Sequence, residues 1–266
     1  MYLSSSIVSF LFLLGATRAS STPNKTVTID STLTYLLPPT YQGNLSQNFL
    51  DTKTNNSAIN DLFAAGRGAP FVSYDPEFLY IIGENATLEL LAENKSPIFR
   101  EAGVWLWDRN EVWFTTEGYG PGNASYLLAV NLNTSEVYTP NTSLPILNPN
   151  GGYYFNGTVY IAGEGTETEA PCIYAVTPAT GETEVVVNTF FGLQFNGPND
   201  VTWATRDGKA YMFFTDDPIS INFEDKPNYQ LDLPDAVWRF DPQERSLVPV
   251  ISRADILIPN TVCQRF

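Results

Sequence analysis

Histidine is absent from this chain of 266 residues. That absence removes Ser-His-Asp and Cys-His catalysis, histidine-ligated zinc and a histidine general base. Cysteine is scarce too: Cys172 and Cys263 are the only two, too few for a disulfide framework or a zinc site, and their pairing is left open. Basic residues number 14 against 29 acidic ones, for a formal charge of −15 and a pI near 4.2. Such a field repels nucleic acid and anionic membrane surfaces and attracts cations. It equally serves as the solvated surface of an extracellular protein. Beyond the N-terminus no apolar run is long enough to be read as a membrane span. The remaining chemistry must use carboxylates, amides, hydroxyls or an oxygen-ligated metal, for which calcium is the best fit.

What is present begins with a leader-like start. The apolar run Ile7–Leu14 is too short for a bilayer and is followed by Thr17-Arg18-Ala19, a small-x-small cleavage pattern. Residues 1–19 therefore read as a signal peptide, although the segment before the run carries no basic residue. Asn-x-Ser/Thr sequons stand at Asn24, Asn44, Asn55, Asn85, Asn94, Asn123, Asn133, Asn141 and Asn156. Behind such a start, that density predicts a secreted glycoprotein carrying N-glycans. Residues 20–69, rich in Ser, Thr, Asn and Pro, read as a glycosylated N-terminal extension.

From residue 70 to 266 the texture is short β-runs and turns, and the runs repeat. An aromatic hairpin spans Val104–Thr116, Gly152–Ala162 and Val201–Thr215, with Asn156-Gly157 and Asp207-Gly208 as hairpin-turn signals. A second strand pair follows each hairpin, over Leu127–Val137, Ile173–Val185 and Val237–Val248. Aligning Asn131, Thr177 and Asp241 gives steps of 46 and 64 residues, the longer one carrying an insertion near Pro218 to Pro234. Four strands repeating every 45–50 residues or so predict an all-β fold built of propeller blades. A β-sandwich would also supply short strands, but not this paired repetition. Phe71 to Ala92 is expected to add a further hairpin-like pair from a closing blade. The count is about three to four blades, an incomplete β-propeller.

In a propeller, ligands bind where the inner strands converge, so polar residues just before each blade's first strand are the candidates. These are Glu101, Asn150, the Asn199-Asp200 pair and Asn260, at spacings of 49, 49 and 61 residues. One carboxylate with several amide oxygens makes a plausible calcium site with positions open to water and substrate. Asn150 fits an ordinary turn equally well. Glu101 ahead of an apolar strand is harder to treat as ordinary, because a carboxylate entering a channel needs a partner.

The motifs Phe99-Arg-Glu-Ala-Gly-Val-Trp105, Phe195-Asn-Gly-Pro-Asn-Asp-Val201, Phe213-Phe-Thr-Asp-Asp-Pro218 and Ile258-Pro-Asn260 resemble, in order, those of the gluconolactonase/senescence-marker-protein family, especially fungal lactonohydrolases. The resemblance covers roughly residues 70 to 260. It implies a six-bladed propeller and a hydrolase acting on small lactones or sugar-derived cyclic esters, with calcium or another divalent cation in the channel. By position it implies metal binding by Glu101, Asn199 and Asn260. Asn150, Asp200 and Asp216 are then expected to face substrate. The family's Pro-Asn-Gly reads Pro259-Asn260-Thr261 here, and the chain stops at Phe266. The Asp that serves as base in the family lies in a later blade, so no catalytic base is assigned and a C-terminally truncated, impaired hydrolase is expected. Two alternatives stand beside it: a non-catalytic secreted propeller or relic, and a strictosidine-synthase-like propeller, which shares the architecture.

Overall fold

The computed structural model describes residues 26–43, 48–83, 85–93, 99–116, 126–166, 168–217, 231–256 and 259–262. The signal-like segment, Cys263 and most of the insertion after Asp217 lie outside these residues. The chain divides into two units, Met1–Leu90 and Leu91–Phe266.

The first unit holds more structure than an extension. β1 (Val27–Thr28) pairs in parallel with β4 (Val72–Ser73), and β2 (Tyr41–Gln42) pairs antiparallel with β3 (Lys53–Thr54). α1 (Ser57–Gly68) starts at Asn56, whose side chain accepts from the backbone N–H groups of Ala58 and Ile59. Its Phe63 packs with Ile29 and Leu50 in a small core.

The hairpin expected over Phe71 to Ala92 does not form; α2 (Pro76–Ile82) occupies its centre. Asp75 caps it, Pro76 opens it and Gly83, at φ 82°, closes it. A five-residue apolar run, Phe78 to Ile82, carries no periodicity that separates strand from helix, so these end signals decide.

The second unit is built of three four-stranded antiparallel sheets, each following chain order from its first strand to its fourth. The first holds β5 (Phe99–Leu106), β6 (Glu111–Thr116), β7 (Leu127–Asn131) and β8 (Val137–Tyr138). The second holds β9 (Pro149–Phe155), β10 (Thr158–Gly163), β11 (Cys172–Val176) and β12 (Thr183–Val187). The third holds β13 (Pro198–Arg206), β14 (Lys209–Asp216), β15 (Ala236–Asp241) and β16 (Ser246–Ser252). Each repeat read from the sequence is one such sheet, and the described residues form three blades of an incomplete propeller.

Strand alternation explains how the blades stack, because successive side chains point to opposite faces. In the second blade Val159, Ile161, Cys172, Tyr174 and Val176 face the first, meeting Val104, Leu106, Trp113 and Ala129. The intervening Tyr160, Ala162 and Ile173 face the third, meeting Trp203, Met212, Phe214 and Trp238. Phe155 and Trp203 stack across that second interface, ring centroids 4.8 Å apart and planes 3° from parallel. Each fully buried aromatic or aliphatic side chain contributes about 1.5–3 kcal/mol, so the two interfaces hold the blades in fixed register. Cys172 is a free thiol buried in the first of them, and burial pushes it up to about 11.

Candidate functional site

The candidate residues fall where the pairing of each blade's first two strands breaks. β9 opens with Pro149 opposite Gly163 and resumes regular pairing at Gly152 opposite Ile161. β13 opens with Pro198 opposite Asp216 and resumes at Val201 opposite Phe214. Asn150-Gly151 and Asn199-Asp200 are therefore the same β-bulge in consecutive blades, two residues set against one. In β5 the pairing slips on both sides of Glu101, between Phe99 and Glu101 and again between Glu101 and Val104. Ala102 and Gly103 there take positive φ, 71° and 61°. Bulges re-aim side chains out of a ladder, which is how these blades present polar groups at the inner end of an apolar sheet. A third Pro-Asn pair, Pro259-Asn260, follows the third blade; Pro259 is buried and Asn260 exposed.

Asp200 joins these elements. Its Oδ1 accepts the N–H of Val201 at 2.9 Å and its Oδ2 that of Val262 at 3.3 Å. Its own N–H donates to Thr215 Oγ1 at 2.9 Å, and that hydroxyl donates to the Asn260 carbonyl oxygen at 2.6 Å. The Thr261 hydroxyl donates to Asn260 Oδ1 at 3.1 Å. Gly151 lies against Asp200 with no room for a β-carbon. Burial pushes the Asp200 carboxyl up to about 6; two backbone N–H donors oppose the rise and the charge of Glu101 adds to it. Asn199-Asp200, Gly151 and Asn260 thus come together, with Glu101 of the first blade near enough for its charge to raise the Asp200 carboxyl.

Two other candidates are placed differently. Asn150 is buried, with Nδ2 donating to Glu164 Oε1 at 2.5 Å, so its amide is oriented by a carboxylate within its own blade. Asp216 has no exposed surface; its Oδ1 accepts the N–H of Gly197 at 2.8 Å and it also bonds the N–H of Asn196. It ties down the Asn196-Gly197 backbone just ahead of the bulge. Burial pushes it up to about 7, helped by the charges of Asp217 and Asp235, while its Oδ2 has no hydrogen-bond partner.

The donors at the junction are all oxygens, the set a hard cation such as calcium takes. Among the described residues no three Asp, Glu, Cys or His side chains form a metal-holding group. A cation here would be held by Glu101 with the Asn199 and Asn260 amide oxygens and water, and it would offset the repulsion between Glu101 and Asp200. Thr215, Gly151 and Glu164 were not among the residues singled out from the sequence. The Thr one residue before the end of β6 and of β14, Thr115 and Thr215, was the available signal for the first; β10 has Ala162 there.

No protein-family model matches the chain. It is similar to lactonohydrolase oryH of Aspergillus oryzae, 28% identical over 237 residues, covering 80% of this chain and 50% of the relative. Lactonohydrolase oryL of the same fungus is 28% identical over 175 residues, covering 60% of this chain and 36% of the relative. The chain thus spans half the length, or less, of these curated relatives. An X-ray structure assigned to a gluconolactonase protein family shares the fold, with a TM-score of 0.51 and 23% identity over 66% of this chain and 56% of that one. The chain is thus similar in sequence to these two lactonohydrolases and shares the propeller fold of that solved structure.

Proposed function

We propose that this chain carries blades of a secreted, calcium-dependent lactone hydrolase. The observation that carries the reading is the junction at which the Glu101 and Asn199-Asp200 bulges of two blades meet the Asn260 segment, tied to it by Thr215 and Asp200. Lactone hydrolysis adds water to the ring carbonyl, breaks the ring C–O bond and leaves the alcohol oxygen protonated. A bound calcium would supply polarisation of that carbonyl. Glu101 and the two amide oxygens would hold the cation. Asp200 keeps the Asn199 bulge and the segment through Val262 in register, and Asn150, fixed by Glu164, borders the same junction through Gly151. No residue of this chain is assigned as the base.

Secretion and N-glycosylation belong to the same proposal. The sequon residues among the described ones, Asn55, Asn85, Asn133, Asn141 and Asn156, are all exposed, as glycan acceptors must be.

The test is hydrolysis of an aldonolactone by the secreted chain, with calcium or with EDTA, beside Glu101→Gln. Turnover that needs calcium and falls at least tenfold in the variant supports the reading. A second reading is a propeller that binds the cation and a lactone without turnover. Calcium binding abolished by Glu101→Gln, with no hydrolysis, selects it. Absence of both calcium binding and hydrolysis removes both readings.

A further inference from the structure

We propose that Thr215 is a positioning residue: its hydroxyl locks the Asn260 segment onto the Asn199-Asp200 bulge and thereby sets the cation affinity of the junction. The inference rests on the hydrolase reading above. Thr215 is 1% exposed, so its hydroxyl has no water to fall back on. The Asp200 N–H can only donate and the Asn260 carbonyl can only accept, so the single hydroxyl proton must lie toward Asn260. The chain Asp200 N–H to Thr215 Oγ1 to Asn260 O, with distances of 2.9 and 2.6 Å, therefore has one orientation. Val262 N–H to Asp200 Oδ2 closes a second tie beside it.

The third blade does not need this hydroxyl for its own construction. Thr115 occupies the same place in the first blade, one residue before the β6 residue that pairs with the start of β5. Its buried hydroxyl has no hydrogen-bond partner. The position tolerates an idle hydroxyl there and uses both capacities of one at Thr215, where a following segment must be held. Groups that orient a metal's ligands from outside typically change its affinity 10–100-fold when removed.

The experiment compares the full chain with Thr215→Val, which keeps the shape, and Thr215→Ser, which keeps the hydroxyl. Thr202→Val is the control, because Thr202 lies buried in β13 with a hydroxyl that bonds nothing. Calcium titration by calorimetry should give a Kd raised about 10–100-fold in Thr215→Val and within about threefold of the parent in the other two. Hydrogen exchange of the Val262 amide in EDTA should speed up at least tenfold in Thr215→Val and not in Thr215→Ser. Unchanged Val262 exchange in Thr215→Val overturns the proposal whatever the metal does, as does unchanged calcium affinity in a parent that binds calcium. If the parent binds no calcium, the hydrolase reading and the affinity claim fall, while the exchange result alone decides whether the lock exists. Should Thr215→Val fail to fold, Thr215→Ala takes its place with the same expected outcomes.

Discussion

Gly151 of the second blade lies directly against Asp200 of the third: a β-carbon on Gly151 would stand 2.7 Å from the Asn199 carbonyl oxygen and 2.8 Å from Asp200 Cα. Both neighbours are backbone atoms at a bulge, so neither can rotate aside. Gly151→Ala should therefore part the two bulges and cost about 1–3 kcal/mol. In a thermal melt that is a fall of roughly 2–10 °C. Gly68→Ala, at the end of α1 with open space around its Cα, should show no fall.

Asp216 predicts a pH dependence. Folding raises its carboxyl from 3.8 to about 7, so the native state holds the proton more tightly than the unfolded chain. Its contribution to stability is complete at low pH, declines as pH rises between those values, and stays lost above them. Asp200 and Asp235 are also raised, so the parent must be compared with Asp216→Asn. In urea titrations with EDTA, the parent should lose stability relative to the variant between about pH 4 and 7. Parallel curves would show that Asp216 ionises as freely in the fold as in the open chain.

The stacked pair Phe155 and Trp203 joins the second and third blades. Phe155→Ala removes a half-buried ring and its stacking partner contact, and should cost about 2–3 kcal/mol in urea unfolding. Phe155→Leu, which refills most of the volume, should recover more than half of that.

Asn156 serves two roles that substitution separates. It sits at φ 48° in a two-residue hairpin turn before Gly157 at φ 81°, a left-handed conformation Asn and Asp tolerate and Ala does not. It is also an exposed sequon. In the secreted protein, Asn156→Asp should lose the mass of one glycan and, after enzymatic deglycosylation of both, melt like the parent. Asn156→Ala should lose the same mass and melt a few degrees lower. No mass change in either variant means that no glycan is carried there.

The hairpins were legible because their signals are local: alternating aromatic strands and Asn156-Gly157 or Asp207-Gly208 between them. Glu101, Asn150 and Asn199 were legible as blade starts, since spacing alone places them. The fate of Asp216 was not, because adjacent residues on β14 point to opposite faces. Thr215 meets Asp200 and the Asn260 carbonyl, while Asp216 meets Gly197, and only the register decides which does which. Gly151 and Thr215 owe their importance to partners 49 and 45 residues away, Asp200 and Asn260, across sheets whose stacking no local pattern encodes. The helix over Pro76–Ile82 is the reverse case: its end signals Asp75, Pro76 and Gly83 are local, but its short apolar run carries no period that separates helix from strand.

The bulges leave the ladders beyond them undisturbed, pairing being restored at Val104, Gly152 and Val201. A change of side chain inside a bulge is thus insulated from the strand that carries it. Over evolutionary time a lineage can exchange one donor per repeat, lose a ligand or recruit another substrate, while the stacked aromatics go on selecting for the same architecture. Divergence of chemistry and persistence of shape are then separate histories written in the same fifty-residue unit.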